Sequence, residues 1–428
     1  MVNGVPFTAS TTPATGLVEI HRLYKSSSND LVWLRPGHEL DRAVATYGYV
    51  DQGVNFHALP TATGCGVAVV PFIKGAKHQY AVSQAAQDAL TADGWSREAV
   101  IFWAPPGQAP TTPPTNPTDT VFSLAVMLDT QMETTTPGDN RFRRRTEWLA
   151  ANEDALNLRY VLHSGGVTNW GWVAPSQYEV ADASFDVLDA AGLPYQAATG
   201  NHDTRAVGYN GDPANPAPGG SAYQDSPGCP RVLGADQCRS TLLVRQTDEW
   251  NGTFPVSRFK NVTTTFEPGK SDNMAQTFSA GGVDWMVVTL ELYPRREAVS
   301  WAKDLVAANP HRNVIVVTHS YLTAGLTIGQ GAEYGATSPQ YLYDNLIKIY
   351  PNIKMVFSGH VGQWGTRLDT GVNGNTIVSY LTCLHSADNP VRTLEIDTVS
   401  GQVTTKLVTP NRGTTETDAT PVTLSFVR

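Results

Sequence analysis

The tetrapeptide Gly200-Asn201-His202-Asp203 decides the fold, because it puts an amide, an imidazole and a carboxylate in three consecutive positions. Groups of the same kind follow apolar segments at three other places, which are Asp129-Thr130-Gln131, Thr318-His319-Ser320 and Ser358-Gly359-His360. Ligand-type side chains at the carboxyl ends of successive strands meet at one edge of an α/β fold. The sequence therefore predicts a single metal-binding cleft built from four loops.

Apolar strands and amphipathic helices alternate around these loops, which indicates an α/β domain whose central strands end in functional loops. The spacing predicts strands near residues 122–128, 160–162, 284–290, 313–317, 354–357, 376–382, 392–397 and 402–408. It predicts helices near residues 140–157, 175–191, 296–308 and 339–349.

The pattern resembles the calcineurin-like metallophosphoesterase family over about residues 119–410, with Gly200-Asn201-His202-Asp203 as its most specific part and Gly359-His360 in the right order. The resemblance implies an α/β fold in which a two-sheet β sandwich is flanked by helices on both outer faces. It also implies a site with two metal ions, bridged by one Asp and by a hydroxide that attacks phosphorus in line.

Ligands are implied residue by residue. Asp129 matches the carboxylate of the first metal, and Gln131 stands in the place of a His ligand. Asn201 matches the amide ligand of the second metal, whose two imidazoles match His319 and His360. Three neutral donors suit Zn²⁺, Mn²⁺ or Fe²⁺ at one position, and the other position is doubtful.

The catalytic pair implied by the resemblance is His202 and Asp203. His202 matches the residue that protonates the leaving oxygen or stabilises the transition state. Asp203 would then orient His202 by accepting its ring N–H.

Two positions depart from the family pattern. Gly166 stands where the bridging Asp belongs, and Gly362 replaces the last His of the final motif. A bridging carboxylate offsets the repulsion between two ions, so its loss predicts impaired activity. If Gly166 marks that position, Gly166→Asp should raise metal occupancy and activity together, unless its φ is positive. The alternative is a simple turn glycine, with another ligand such as Glu133 or Asp139.

Substrate contacts are less clearly marked. Arg367 and Arg205 lie in loops near the motifs and could hold phosphate oxygens, although each is also a typical solvated surface residue. His163 lies near a strand end and would either line the pocket or serve as a turn residue.

The N-terminal part contains an internal repeat, in which residues 33–56 match residues 79–102 at an offset of 46. It resembles a repeat module attached to secreted bacterial hydrolases. Chance similarity of two strand-helix-strand stretches is the alternative. The predicted organisation is a tail (1–17), a small α+β two-repeat module (18–104), a Pro-rich linker (105–118) and the phosphoesterase-like domain (119–428). Trp33 and other aromatics would pack in a core or stack on sugars.

Composition excludes several classes of protein. The formal net charge is −9, which disfavours binding nucleic acid through charge. No run of 18 apolar residues would span a membrane. The N-terminus lacks the features of a signal peptide, and we expect a bacterial protein that is secreted or extracytoplasmic, with its signal absent from this chain. Cys229 and Cys238 could close a small disulfide ring or remain free thiols.

These observations predict a metal-dependent phosphoesterase, impaired at Gly166, that hydrolyses a phosphomonoester or phosphodiester. The alternative is an inactive relative that binds a surface polysaccharide through its N-terminal repeats. No Gly-x-Ser-x-Gly elbow supports a serine hydrolase.

Overall fold

The computed structural model describes most of the chain, namely residues 2–3, 7, 9–10, 12–25, 27–28, 30–62, 66–82, 84–105, 120–207, 238–384, 389–417 and 420–428. The chain divides into two compact units, Met1–Pro114 and Thr115–Arg428. Of the predicted linker, residues 105–118, only Pro105 is among the described residues. Within the described ranges, no helix is long and apolar enough to span a membrane.

The N-terminal unit contains a three-stranded and a five-stranded sheet among its described residues. The first is built from Val18–Lys25, Asp30–Leu34 and Val50–Ala58, and the second from Val2–Asn3, Val67–Lys74, Lys77–Ala81, Ser96–Arg97 and Phe102–Ala104. The helices are His38–Ala45 and Gln84–Ala92. Gly48 and Gly94, which match in the predicted repeat, both follow a helix with positive φ, 73° and 77°.

Aromatic packing forms the core of this unit. The ring of Trp33 contacts Phe7, Phe56 and Tyr80 at centroid distances of 5.7, 5.4 and 4.8 Å. Its indole N–H donates to Asn55 Oδ1 at 3.0 Å. Trp33 is therefore partly buried and packs against the core of this unit, in agreement with the predicted packing role.

Asp30 is a buried carboxylate that joins two strands and a helix-to-strand turn of the N-terminal unit. It accepts hydrogen bonds from the hydroxyl of Tyr49 at 2.5 Å and from the backbone N–H and Nδ1 of His78, both at 2.7 Å. Burial opposes the charge of Asp30, but these bonds outweigh it and lower the pKa of that carboxyl. Burial likewise opposes protonation of His78, but Glu98 and Asp30 outweigh it and raise the pKa of the imidazole.

The Asp30–His78 pair should therefore stabilise the N-terminal unit within a pH window. Its contribution is lost as pH falls through the lowered pKa of Asp30, and also as pH rises through the raised pKa of His78. We predict that Asp30→Asn lowers the free energy of unfolding by about 2–3 kcal/mol near pH 6, because hydrogen bonds to a buried charge are removed. Amide hydrogen exchange of residues 66–82, followed as a function of urea concentration, measures this change in the free energy of unfolding.

Asp93→Asn is the matched control, because that side chain is 71% exposed and pairs with Lys74 at the surface. It should leave the free energy of unfolding nearly unchanged. Equal losses in both variants, or a loss in Asp30→Asn that does not vary between pH 6 and pH 9, would contradict the role given to the pair.

The C-terminal unit contains two sheets, each with seven strands among the described residues. The first sheet consists of Val121–Met127, Leu158–His163, Tyr195–Ala197, Val391–Asp397, Gln402–Thr409, Thr414–Thr417 and Val422–Thr423. The second consists of Val262–Thr265, Met274–Ala280, Val283–Thr289, Asn313–Val317, Ile353–Ser358, Trp364–Thr370 and Thr376–Thr382. In each sheet a group of adjacent strands is parallel, so their carboxyl ends share one edge.

Alternation along the central strands sorts side chains between two cores. From Val121–Met127, the residues Phe122, Leu124 and Val126 enter the core between the sheets, while Ala125 and Met127 face the helices. The second sheet contributes Trp285, Ile315 and Phe357, among others, to the inner core. This two-faced burial follows from period-2 alternation in continuously apolar strands.

Helices cover the outer faces of both sheets. The helices on the first sheet are Gln131–Thr134, Arg141–Ala151, Glu153–Leu156 and Ser176–Ala191. Arg296–Ala308, Pro339–Leu342 and the π-helical Tyr343–Ile347 pack on the second. Short helices at Ser240–Leu243, Asp248–Thr253 and Val256–Arg258 complete the set in the described residues. The predicted fold class, a two-sheet sandwich flanked by helices and preceded by a small domain, is confirmed.

Cys238 is disulfide-bonded, whereas Cys383 is a buried free thiol. Cys229 lies outside the described residues, so its pairing with Cys238 stays a prediction.

Candidate metal centre

The two sheets bring their loops together at one edge of the C-terminal unit. Asp129 and Asn201 follow strands of the first sheet, and His319 and His360 follow strands of the second. The imidazole rings of His319 and His360 are 5.0 Å apart between centroids. His319 Nδ1 lies 3.6 Å from Asp129 Oδ1. The structure therefore brings together the residues that the sequence predicts as one cleft.

Asp129 is the buried anion of this cleft. It is fully shielded from solvent, and its Oδ2 accepts the backbone N–H of His360 at 3.2 Å. Burial raises the pKa of Asp129 to about 7, against the lowering effects of Cys383 and His360. A carboxylate in such surroundings is stabilised in its charged form by a nearby cation.

Asn201 provides an observation that favours a cation site. The residue is 4% exposed, and its Nδ2 donates to the hydroxyl of Tyr334 at 3.4 Å. Its Oδ1 is buried and has no hydrogen-bond partner among the residues that the structure describes. A buried amide oxygen without a donor carries a desolvation cost that a metal ion would remove.

His319 is enclosed by backbone that only glycine allows. Its Nδ1 donates to the carbonyl of Ser164 at 2.9 Å. A Cβ on Gly165 would lie 2.7 Å from Nδ1, and one on Gly200 would lie 2.8 Å from Nε2. Both glycines are therefore needed for the close approach of the imidazole to the loops of the first sheet.

Asp129, Asn201, His319 and His360 supply carboxylate, amide and imidazole donors, which are the types that a divalent ion takes together. Within the described ranges, no three His, Cys, Asp or Glu side chains are grouped as a metal ion would require. The four side chains would therefore have to move closer together to share one ion. His360 itself has φ of 75°, an unusual conformation for a residue other than glycine, as often occurs at functional sites.

Gly166 faces Asp129 and Gln131, the predicted ligands of the first metal ion. Its φ is +65°, and an added Cβ would overlap Asp129 Oδ1 and lie 3.2 Å from Oε1 of Gln131. A side chain is strained at positive φ, which is the exception named for Gly166→Asp in the sequence analysis. This substitution is therefore not expected to raise metal occupancy and activity. By contrast, a Cβ on Gly362 would meet no atom within 4 Å.

We predict that Gly166→Ala lowers the free energy of unfolding by about 1–2 kcal/mol or more, from the left-handed backbone plus the overlap with Asp129. Gly362→Ala is the matched control, and it should be tolerated. Thermal unfolding of the metal-free proteins measures both. Equal stability of the two variants would contradict the geometry described for residue 166.

Asp203 does not orient His202, contrary to the sequence-based expectation. Its carboxylate accepts four hydrogen bonds, from the backbone N–H groups of Gly200, Val167 and Thr168 and from the Thr168 hydroxyl, at 2.7–3.2 Å. It therefore ties the loop of Gly166 to the loop of Asn201. Burial raises the pKa of Asp203 to about 6, although these bonds oppose the shift.

His202 is oriented by a backbone carbonyl instead. Its Nδ1 donates to the carbonyl oxygen of Asn169 at 2.6 Å. The physical reason for the difference is local: the backbone turn after Gly200 directs Asp203 inward to the neighbouring N–H groups, and His202 toward residue 169.

The four hydrogen bonds that Asp203 accepts should contribute about 2–3 kcal/mol to the free energy of unfolding. An Asn at this position would present amide protons to N–H donors, which need an acceptor. We predict that Asp203→Asn lowers the free energy of urea-induced unfolding by that amount. Asp304→Asn, on an exposed face of Arg296–Ala308, serves as the control. A variant as stable as the wild type would show that the four bonds do not hold the loops.

His163 faces the core and does not line the cleft. It is fully buried beside the rings of Phe142 and Phe185. Its Nδ1 accepts the N–H of Gly165 at 3.1 Å, and burial lowers its pKa to about 3. A neutral, enclosed imidazole fits the turn-residue interpretation and not substrate contact.

The two arginines that the sequence offers for phosphate binding differ in how far their guanidinium groups are already paired. Arg367 is paired with Asp369, at 2.6 and 2.8 Å, on the edge strand Trp364–Thr370, which leaves it committed to that carboxylate. Arg205 pairs with Glu249 at 2.7 Å, and its guanidinium lies over the ring of Trp172. Its buried Nε has no acceptor among the described residues, so Arg205 remains a candidate for binding an anion.

Glu333 and Tyr334 lie at the site but were missed by sequence reasoning. Oε2 of Glu333 is 3.4 Å from Nε2 of His360, and Tyr334 accepts the hydrogen bond from Asn201. Neither residue follows a strand, so the pattern of ligand types after apolar segments carries no signal for them.

Comparison with known proteins gives a family for the larger unit. The family described as calcineurin-like phosphoesterase matches residues 122–363, and a domain of unknown function, DUF5648, matches residues 2–105. An uncharacterized protein of Bacillus subtilis (strain 168), YvnB, is 26% identical over 244 residues, covering 57% of this chain. The chain spans only 16% of the length of that curated relative.

Two solved structures are also similar. A dimetal phosphatase from Danio rerio is 10% identical, with a TM-score of 0.44, over 71% of this chain and 99% of its own. A 5'-nucleotidase precursor from Thermus thermophilus is 13% identical, with a TM-score of 0.36, over 71% of this chain and 54% of its own.

Proposed function

Because the chain belongs to the calcineurin-like phosphoesterase family, we propose that it hydrolyses a phosphomonoester or phosphodiester in a metal-dependent reaction. The observation that supports this most is the meeting of Asp129, Asn201, His319 and His360, with the Asn201 Oδ1 buried and lacking a donor among the described residues. These four residues would hold the ion. A bound Zn²⁺, Mn²⁺ or Fe²⁺ would supply an activated water and a Lewis acid.

His202 is proposed as the proton donor to the leaving oxygen. Its Nδ1 proton is held on the carbonyl of Asn169, which fixes the tautomer and the plane of the ring. The proton for the leaving oxygen would come from Nε2 of the imidazolium form, which leaves the neutral ring with its one proton at Nδ1. Asp203 supports this arrangement indirectly, by holding the backbone on either side of the site.

Reduced activity is the second part of the proposal. Gly166 contributes no carboxylate, so Asp129 is the one acid that the sequence motifs supply to the metal position. Two divalent ions separated by a few ångströms repel each other strongly, and one negative charge offsets little of that repulsion. A site with one firmly bound ion is the arrangement that these residues favour.

Arg205 is proposed to contact the phosphate group. It follows Asn201 by four residues, and its unsatisfied Nε–H supports this role.

Secretion is proposed for the whole chain, since the disulfide-bonded Cys238 is typical of an oxidising compartment.

The test is hydrolysis of p-nitrophenyl phosphate with and without Mn²⁺. We predict activity that requires the metal, and a loss of about 10²–10⁴-fold in kcat for His202→Asn with unchanged Mn²⁺ affinity, as expected for a general acid. The control is His311→Asn, an exposed residue before the strand Asn313–Val317. Metal-independent hydrolysis, or full activity of His202→Asn, would overturn the proposal.

A further inference from the structure

A tight turn, Ala332–Gly335, places two side chains against the candidate metal centre. The N–H of Gly335 donates to the carbonyl of Ala332 at 2.8 Å. Gly335 packs so closely on Tyr293 that an added Cβ would overlap it, which anchors the turn. Glu333 and Tyr334 lie within this turn and contact His360 and Asn201 respectively. The turn is thus attached to one candidate ligand from each sheet.

Among the residues that the structure describes, four other acidic side chains on or beside the loops have arginine partners. Glu133 pairs with Arg145, Asp139 with Arg141, Glu249 with Arg205, and Glu291 with Arg245 and Arg295. Glu133 and Asp139 are therefore engaged elsewhere and do not replace the carboxylate missing at residue 166. Asp203 is likewise occupied by four hydrogen bonds from the loops.

Glu333 differs from all of these. Among the described residues it has no Arg or Lys partner, and its one ion-pair contact is with His360, at 3.4 Å. Its side chain is 63% exposed, and it also interacts with the hydroxyl of Tyr293. The carboxylate stands beside an imidazole that would bind the metal, and it carries the charge that the site lacks at Gly166.

We propose that the carboxylate of Glu333 is part of the metal centre, and that it offsets the charge lost at residue 166. This inference rests on the proposed metal-dependent function. Carboxylate oxygens bind divalent ions directly, and an added negative charge beside a cation in partly buried surroundings strengthens its binding. Tyr334, bonded to Asn201, keeps the turn against the site.

The competing explanation is that Glu333 only orients His360 by accepting a hydrogen bond from Nε2. Two variants separate the explanations. Glu333→Gln keeps a neutral acceptor of nearly the same shape but removes the charge, whereas Glu333→Ala removes both. Glu297→Gln, at an exposed position in the first turn of Arg296–Ala308, is the matched control.

Mn²⁺ affinity of the full chain, measured by isothermal titration calorimetry, is the readout. We expect both Glu333→Gln and Glu333→Ala to bind Mn²⁺ about 10-fold or more weakly than the wild type, as for loss of a metal-site partner, while Glu297→Gln is unchanged. Circular dichroism and thermal unfolding of the metal-free variants check that each is folded, which is expected for substitution of an exposed side chain.

Wild-type affinity in Glu333→Gln with weaker binding only in Glu333→Ala would overturn the inference in favour of simple orientation of His360. Wild-type affinity in both variants, or no Mn²⁺ binding by the wild type, would also overturn it. Failure of the proposed function gives a different result, in which the wild type binds Mn²⁺ with the expected dependence on Glu333 but does not hydrolyse p-nitrophenyl phosphate.

Discussion

The buried carboxylate of Asp129 is the constraint on which the rest of the C-terminal unit depends. It lies at the edge where the parallel strands of both sheets end, with His360 N–H on one oxygen and His319 3.6 Å from the other. A buried anion is costly unless it is paired or bound to a cation. The inner core, which holds the two sheets face to face, is what allows loops from both to approach this one group. A bound metal ion would offset the desolvation of the Asp129 carboxylate through direct electrostatic attraction.

The loops around Asp129 are held by backbone geometry as much as by side chains. Gly165 and Gly200 leave space for the ring of His319, and Gly166 leaves space for Asp129 itself. Asp203 then fastens these glycine-rich segments to each other through their N–H groups. The absence of a side chain at Gly166 thus has two effects: it removes a potential ligand, and it permits the observed position of the carboxylate.

Much of the fold follows from sequence pattern, because the central strands are continuous apolar runs with ligand-type residues at their ends. The predicted ranges 296–308 and 313–317 agree with Arg296–Ala308 and Asn313–Val317. Met274–Ala280 was missed, since Gln276, Thr277 and Ser279 interrupt its apolar pattern, although the strand is paired on both sides within its sheet. Side-chain direction within loops is a tertiary property. Sequence spacing could bring Asp203 close to His202, but could not show that backbone N–H groups would compete for its carboxylate. Glu333 gave no signal because it lies in a turn that does not directly follow a strand, although it stands between His319 and His360 in the sequence.

A crystal soaked in Mn²⁺ would test the central claim most directly, through anomalous scattering recorded at the manganese absorption edge. We predict one strong peak within bonding distance of Asp129, Asn201, His319 and His360, with nitrogen and oxygen ligands near about 2.0–2.2 Å. A peak bound elsewhere, or none at this position at saturating Mn²⁺, would contradict the assignment of these loops as a metal centre.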